Sequence, residues 1–267
     1  MLSYGNHAIA STRRIAFAGL LVAVASCRGT AATDTQPHPR DSALGAHTLL
    51  WQGYDAGTSP AITDPVDTQA SGSSLIVFNA GFASNTDAPT DNYSNTWTQL
   101  GDAVVYRGYD GRFDVKAYVS LVASGGSGHT VSIVKNGQAD GEITVPFIEI
   151  RNAGVLQDAA QNYPESAPAI TSGSVTTTGP ATLIAVWWGD AYVYDMTAVP
   201  DQGFTVIDSL LHLPPNSAVQ CAVAYKQVTE AGTYNVTWTQ SPEQGAPLWL
   251  FAFQSQTGDT IFSSGFE

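Results

Sequence analysis

The chain has 267 residues, and its 23 acidic side chains against 10 Lys and Arg give a formal net charge of −13. Binding to nucleic-acid phosphates needs clustered positive charge, so this balance excludes nucleic acid as an expected partner. With only two cysteines, the chain is also not a disulfide scaffold.

Residues 1–27 have the pattern of an export signal. The first segment carries Arg13 and Arg14 and no acid, and Ile15–Ser26 is an uninterrupted run of apolar and small residues. A membrane-spanning helix needs roughly 20 such residues, so the run predicts a signal peptide and not a transmembrane anchor. The Arg pair also allows a twin-arginine signal, although most of the apolar continuation of that motif is missing.

The end of this signal, Val24-Ala25-Ser26-Cys27, resembles the lipobox of bacterial lipoproteins. The resemblance implies that Cys27 is diacylated and becomes the first residue of the mature chain. Two acyl chains, at about 0.8 kcal/mol per buried methylene, would hold a soluble domain at a membrane surface. The alternative is an ordinary signal peptide in which Cys27 occurs by chance.

Residues 28–45 are rich in Thr, Ala, Pro and Asp and are predicted to form a flexible tether.

Residues 46–255 are predicted to form an all-β domain. Short runs rich in Val, Ile, Thr and aromatic residues are separated by Gly, Asn, Asp, Ser or Pro, and no segment has a helical period. Residues 115–121 and 233–239 alternate between apolar and polar, which predicts strands with one wet face. Residues 183–188 are apolar throughout, as expected of a central strand.

An internal repeat spans this domain. The sequence Pro-Ala-Ile-Thr occurs at 60–63 and again at 168–171, an offset of 108 residues. Further segments match in the same order, at offsets that fall to 105 and then 103: Leu75-Ile76 with Leu183-Ile184, Ala117 with Ala222, Val131 with Val236, Ile133 with Trp238, and 145–149 with 248–252.

The repeat predicts two halves, at about 47–152 and 153–255, that build a jelly-roll-like or Ig-like β-sandwich. Tandem Ig-like domains and one sandwich with pseudo-two-fold symmetry both fit this pattern. Because no Pro- or Gly-rich linker separates the halves, the single sandwich is favoured.

Three phrases, at 53–57, 91–97 and 231–234, resemble a little-characterised β-sandwich module of secreted and surface bacterial proteins, often found beside adhesive or carbohydrate-binding modules. The resemblance covers about 47–255 and implies a surface module without a defined activity. The tail, 256–267, contains Ile-Phe-Ser-Ser-Gly-Phe-Glu and resembles a short C-terminal signature of exported proteins from Gram-negative lineages. It implies export only.

Candidates for catalysis are few. The segment Gly125–His129 holds a Ser and a His but does not form a nucleophile elbow, and a turn explains it. Glu149 stands in an apolar strand and could serve a glycosidase, although pairing with Arg151 explains it equally well. Cys221 lies in a run whose odd-numbered positions, 219–225, are apolar, and it is therefore expected in the core. The sequence predicts neither an enzyme nor a cofactor.

Two binding sites are possible. The acidic and amide side chains of Asp87, Asp91 and Asn92, with Asn85 and Asn95 beside them, form a weak calcium candidate. Asx side chains also mimic turn hydrogen bonds, and that explanation is favoured.

The second candidate follows a predicted central strand: Trp187, Trp188, Asp190, Tyr192 and Tyr194. Flat rings there could stack on sugar faces while carboxylates accept hydroxyl hydrogen bonds. Neighbouring strand residues point to opposite faces, so one of the two tryptophans is expected to face the core.

The predicted function is an exported, lipid-anchored module of the bacterial envelope, or an extracellular one, that binds a glycan or a surface protein. The alternatives are a structural component of an envelope or fibre and, third, a glycan-degrading enzyme that uses Glu149.

Overall fold

The computed structural model describes residues 41–54, 57–82, 87–107, 113–135, 141–191, 193–214, 217 and 219–255. These residues form strands, turns and loops without a helix, which confirms the predicted all-β class. The predicted export signal with Cys27 and the C-terminal tail lie outside the described residues. Within the part that is described, no helix has the length and apolar character needed to cross a membrane.

The first half contains the strands β1 (Ala43–Gln52), β2 (Ala61–Ile62), β3 (Ser71–Gly81), β4 (Thr90–Asp91), β5 (Thr98–Val105), β6 (Asp114–Ser124), β7 (Val131–Ile133) and β8 (Ile143–Arg151). The second half contains β9 (Val155–Asn162), β10 (Ala167–Thr171), β11 (Val175–Thr177), β12 (Ala181–Trp188), β13 (Thr197–Pro200), β14 (Thr205–Leu210), β15 (Cys221–Val228), β16 (Gly232–Tyr234), β17 (Thr237–Gln244) and β18 (Leu248–Gln254).

The two halves have the same strand order. In the first half, a five-stranded sheet runs β1-β8-β3-β6-β5 and a three-stranded sheet runs β2-β7-β4. In the second half, the corresponding sheets run β9-β18-β12-β15-β14 and β10-β17-β13, and β11 pairs with β16 beside them. Pairing of the first strand with the last, and of the second with the next to last, is the order of a jelly roll.

Each half therefore has the strand order of a complete jelly roll, whereas the sequence favoured one sandwich shared between the halves. The segments that match in the sequence lie on corresponding strands, such as β3 with β12 and β8 with β18. The duplication of the sequence itself stays a prediction.

A matched hydrogen-bond pair also recurs in the two smaller sheets. Thr63 N donates to Val131 O (2.9 Å) and Val131 N donates to Thr63 Oγ1 (3.0 Å). Ser172 N donates to Val236 O (2.9 Å) and Val236 N donates to Ser172 Oγ (3.1 Å). A hydroxyl residue thus closes the ladder at the same place in each half.

The central core lies between the two five-stranded sheets. Its centre is aromatic, with the ring centroid of Phe78 on β3 lying 4.7 Å from that of Trp188 and 5.5 Å from that of Trp249. Cys221 is buried in the same core, as predicted, and burial raises the pKa of its thiol. Each smaller sheet covers the outer face of its five-stranded sheet and encloses a further core. The domain therefore has four layers.

The prediction that β6 has one solvent-exposed face is wrong, because β6 lies in an inner layer of the four. The alternation at 115–121 predicted one wet face, but Lys116, Tyr118 and Ser120 are all buried because the smaller sheet of the first half covers that side. Leu121, which the pattern placed inward, is exposed beside Val122, whose φ of 53° marks an irregularity in the strand.

The domain begins earlier than the predicted residue 46. Strand β1 starts at Ala43, and the buried Ser42 precedes it. Ser42 Oγ donates to Phe253 O (2.9 Å), and Gln227 Nε2 donates to Ser42 O (2.8 Å). Residues 42–45 therefore belong to the sandwich and not to a tether.

Candidate functional site

Loops from both halves meet around Arg107, which follows β5. The guanidinium carbon of Arg107 lies 4.0 Å from the ring centroid of Tyr163, which follows β9 in the second half. The guanidinium also donates to the carbonyl oxygens of Tyr163 (2.6 Å) and Pro164 (3.2 Å) and forms an ion pair with Glu165 (2.9 Å). One side chain of the first half is thus held by three successive residues of the second.

The Tyr163 hydroxyl connects this contact to Asp190, which follows β12. The hydroxyl accepts a hydrogen bond from Arg107 N (2.9 Å) and donates one to Asp190 Oδ2 (2.7 Å). Gly245 lies so close to Asp190 that a Cβ there would overlap the carboxylate, and Asp190 N donates to Gly245 O (3.1 Å). The carboxylate is therefore fixed from two sides.

An open pocket of about 380 Å³, which we call the seam cavity, lies against this contact, and its lining includes Arg107, Asp190 and Gly245. Its polar lining includes Arg107, Glu165, Asp190, Glu243 and Gln244. Burial raises the pKa of Asp190 above its ordinary value, while the Tyr163 hydrogen bond and the Arg107 charge act in the opposite direction. Burial is also the main reason why the pKa of Tyr163 is raised. The seam cavity therefore offers mainly carboxylate oxygens to a ligand.

The predicted aromatic site is only partly present at this position. Trp187 and Trp188 are both 0 % exposed, because Trp187 faces the outer core of the second half and Trp188 faces the central core. Neither ring can stack on a sugar, which corrects the prediction for these two residues. Asp190 lines the seam cavity. Tyr194 is half-buried, and Tyr192 lies outside the described residues.

The sequence did not single out Arg107, Tyr163 or Glu165. Arg107 lies in the loop after β5, whereas Tyr163 and Glu165 lie in the loop after β9. Only the packing of the two halves brings these loops to Asp190. An Arg and a Tyr in loops give no local signal, because both residues are common on protein surfaces.

The remaining candidates for catalysis have structural contacts. Ser127 Oγ donates to Asp67 Oδ1 (2.8 Å) and not to His129, whose Nδ1 lies 2.9 Å from Thr68 Oγ1. Glu149 is buried and lies 3.3 Å from Arg151 Nε through its Oε2 atom, as the pairing explanation expected. Ser127 and His129 thus have different partners, and Glu149 is held by the ion pair that the sequence suggested.

The calcium candidate is a turn held by Asp91. Its Oδ1 atom accepts hydrogen bonds from Tyr93 N (2.8 Å) and Asn95 N (3.2 Å), and its Oδ2 atom accepts one from Trp97 Nε1 (2.8 Å). Asn92 likewise bonds to backbone groups, donating to Gly128 O at 2.9 Å. The oxygens that a cation would need are used by N–H donors.

Asp87 is exposed in the same region. In the described ranges, no three His, Cys, Asp or Glu side chains gather at one point. The geometry thus favours the turn explanation over calcium.

Replacing Asp91 with Asn is expected to lower the free energy of unfolding by about 1–3 kcal/mol, because the new amide group turns a donor toward buried N–H groups. Urea denaturation of the wild type and the variant measures this change. Asp64→Asn, at an exposed aspartate outside the calcium candidate, is the matched control and is expected to have little effect. Stabilisation of the wild type by Ca²⁺ over EDTA, lost in Asp91→Asn, would instead support a cation site.

The chain matches no family model, no curated protein and no solved structure. Its class is therefore defined by its own geometry, as two jelly rolls that share a central core. The distinguishing feature of this particular protein is the seam cavity, to which both halves contribute.

Proposed function

We propose that this protein is an exported surface module that binds a glycan in the seam cavity. Export and a lipid anchor at Cys27 rest on the signal pattern and on the lipobox resemblance of the sequence. The observation that carries the binding proposal is the seam cavity itself, with Arg107 from one half and carboxylates from the other. Small ligands commonly bind at such junctions, where a few polar groups converge.

A sugar fits this lining better than an anion does. Glu165, Asp190 and Glu243 offer carboxylate oxygens, which accept hydrogen bonds from hydroxyl or amino groups. The Arg107 guanidinium, the cation of this lining, already donates to acceptors of the protein. A neutral or amino sugar is therefore favoured over a phosphorylated or uronic one.

A glycan array tests this proposal with a domain that starts at Asp41, so that the contacts of Ser42 are kept. We expect retention of neutral or amino glycans by the wild type and a loss of at least about tenfold for Asp190→Asn, equivalent to about 1.4 kcal/mol. Glu243→Gln should weaken retention, and Glu230→Gln is the matched control, because Glu230 is also an exposed glutamate but does not line the cavity.

If no glycan on the array retains the protein at high protein concentration, the glycan proposal is overturned. Retention that is equal for wild type and Asp190→Asn would place the ligand elsewhere on the surface. A fixed protein partner recovered by crosslinking would favour the alternative role, a structural component of an envelope or fibre.

A further inference from the structure

His129 is a buried titratable side chain that the proposed site does not use. Its ring is 0 % exposed and packs between two aromatic rings, at centroid distances of 4.8 Å from Tyr93 and 5.1 Å from Phe147. The Nδ1 atom lies 2.9 Å from Thr68 Oγ1. The Nε2 atom is buried and has no hydrogen-bond partner among the described residues.

A proton on this ring would be poorly compensated. The Nε2 atom faces Asp91 Oδ1 at 3.8 Å, but Asp91 already accepts hydrogen bonds from backbone groups and from Trp97. Glu149 on β8 also acts on His129, and its carboxylate is held by Gln69 N and Ser73 Oγ, both at 2.6 Å. Burial therefore lowers the pKa of His129, although Asp91 and Glu149 oppose this.

The other titratable groups nearby are also engaged. The Tyr93 hydroxyl donates to Ser127 O (2.8 Å). Asp67 accepts hydrogen bonds from Ser127 Oγ (2.8 Å) and Gly128 N (2.9 Å). Neither of these groups lies within hydrogen-bond distance of the His129 Nε2 atom. Neither can therefore stabilise the protonated ring unless the structure rearranges.

His129 also holds the outer sheet of the first half, β2-β7-β4. Its backbone forms a bridge with Val66, with hydrogen bonds of 2.7 Å and 3.0 Å. The three strands of this sheet have only two, three and two residues. With so few ladder bonds, the sheet depends on side-chain contacts, which are those of His129 and Asp91 together with the apolar packing of Val131 and Ile133.

We propose that His129 is an acid-sensitive latch, whose protonation releases the outer sheet β2-β7-β4 while the central core stays folded. The inference does not depend on the proposed function. It assigns to the fold a local opening of one outer sheet in response to acid.

The sign of this pH dependence follows from the difference in the pKa of His129 between the closed and the opened sheet. The pKa of His129 in the closed state lies below its ordinary value of 6.5, so an opened, solvated ring binds a proton more readily. The contribution of neutral His129 to closure is complete above pH 6.5 and is lost as the pH falls below that value. The opening constant then rises by up to about tenfold per pH unit, until the pKa of the closed state is reached.

The second half provides an internal control. At the repeat offset of 105, Tyr234 stands where the first half has His129. The corresponding sheet, β10-β17-β13, has strands of five, eight and four residues. Acid is therefore expected to open the outer sheet of the first half selectively.

Hydrogen exchange of the full-length protein at about pH 7.5 and 5.5, corrected for intrinsic rates, tests this proposal. We expect exchange at 91–97 and 126–133 to rise by up to about tenfold at the lower pH, while 197–200 and 237–244 stay protected. The variant His129→Gln cannot take up the proton and should remove the pH difference.

His47→Gln is the control variant, because the Asp208 hydrogen bond raises the pKa of His47, so that its contribution is lost as the pH rises and not as it falls. It should keep the acid response.

Equal protection of both outer sheets at both pH values, or opening of both sheets together, would overturn the proposal. If His129→Gln does not fold, an NMR titration of the wild-type ring decides, since a His129 pKa at or above 6.5 would also overturn it.

Discussion

Replacing Glu149 with Ala is expected to lower the free energy of unfolding by about 3–5 kcal/mol, because it leaves one buried and two partly buried donors without an acceptor. The carboxylate accepts hydrogen bonds from Gln69 N (2.6 Å), Ser73 Oγ (2.6 Å) and Ala46 N (3.0 Å). These groups belong to β1, to β3 and to the segment before β3. The glutamate therefore fixes two neighbouring segments against β8, and urea denaturation measures the loss.

The isosteric variant Glu149→Gln separates charge from volume. Its amide N–H₂ would face N–H and O–H donors, so a loss of about 1–3 kcal/mol is expected. The control is Glu230→Gln, which changes an exposed glutamate and should stay within about 0.5 kcal/mol of the wild type. A Glu149→Gln variant that is as stable as the wild type but loses hydrolysis of a polysaccharide would restore the glycosidase hypothesis.

The strands could be predicted well because hydrophobic periodicity is local. Residues 183–188 were predicted as a central strand, and they lie in β12, which begins at Ala181 and in which every residue is buried. The two tryptophans of this strand show what hydrophobic periodicity cannot predict. Alternation correctly puts them on opposite faces, but it cannot tell that a second sheet covers the outer face as well. The same covering sheet explains the buried Lys116 of β6.

The seam cavity could be predicted only at Asp190, which stood beside a conspicuous run of aromatic residues. Its partners Arg107 and Tyr163 belong to different halves, and their contact depends on how two complete jelly rolls pack. No pattern along the chain reports that packing. The calcium candidate shows a related limit, because the sequence shows the oxygens of Asp91 but not the N–H donors that already bond to them.

Replacing Phe78 with Ala is expected to destabilise the whole domain by about 3–5 kcal/mol, because it opens a cavity at the centre of the core that both halves share. The Phe78 ring of the first half packs against Trp188, Trp249 and Phe251 of the second, at centroid distances of 4.7, 5.5 and 6.0 Å. Val199→Ala, at an exposed position of β13, is the control and should change little.

The Phe78→Ala variant also tests whether the two jelly rolls unfold as one unit. If the central core couples them, calorimetry and tryptophan fluorescence should report a single transition at a lower temperature, since Trp97 and Trp238 lie in the separate outer cores of the two halves. Two separate transitions, with only the first half destabilised, would contradict this coupling. Each half has a complete jelly-roll order, but its five-stranded sheet has an apolar inner face that only the other half covers. Burial of that face, and not the strand order, is what should make the two halves cooperative.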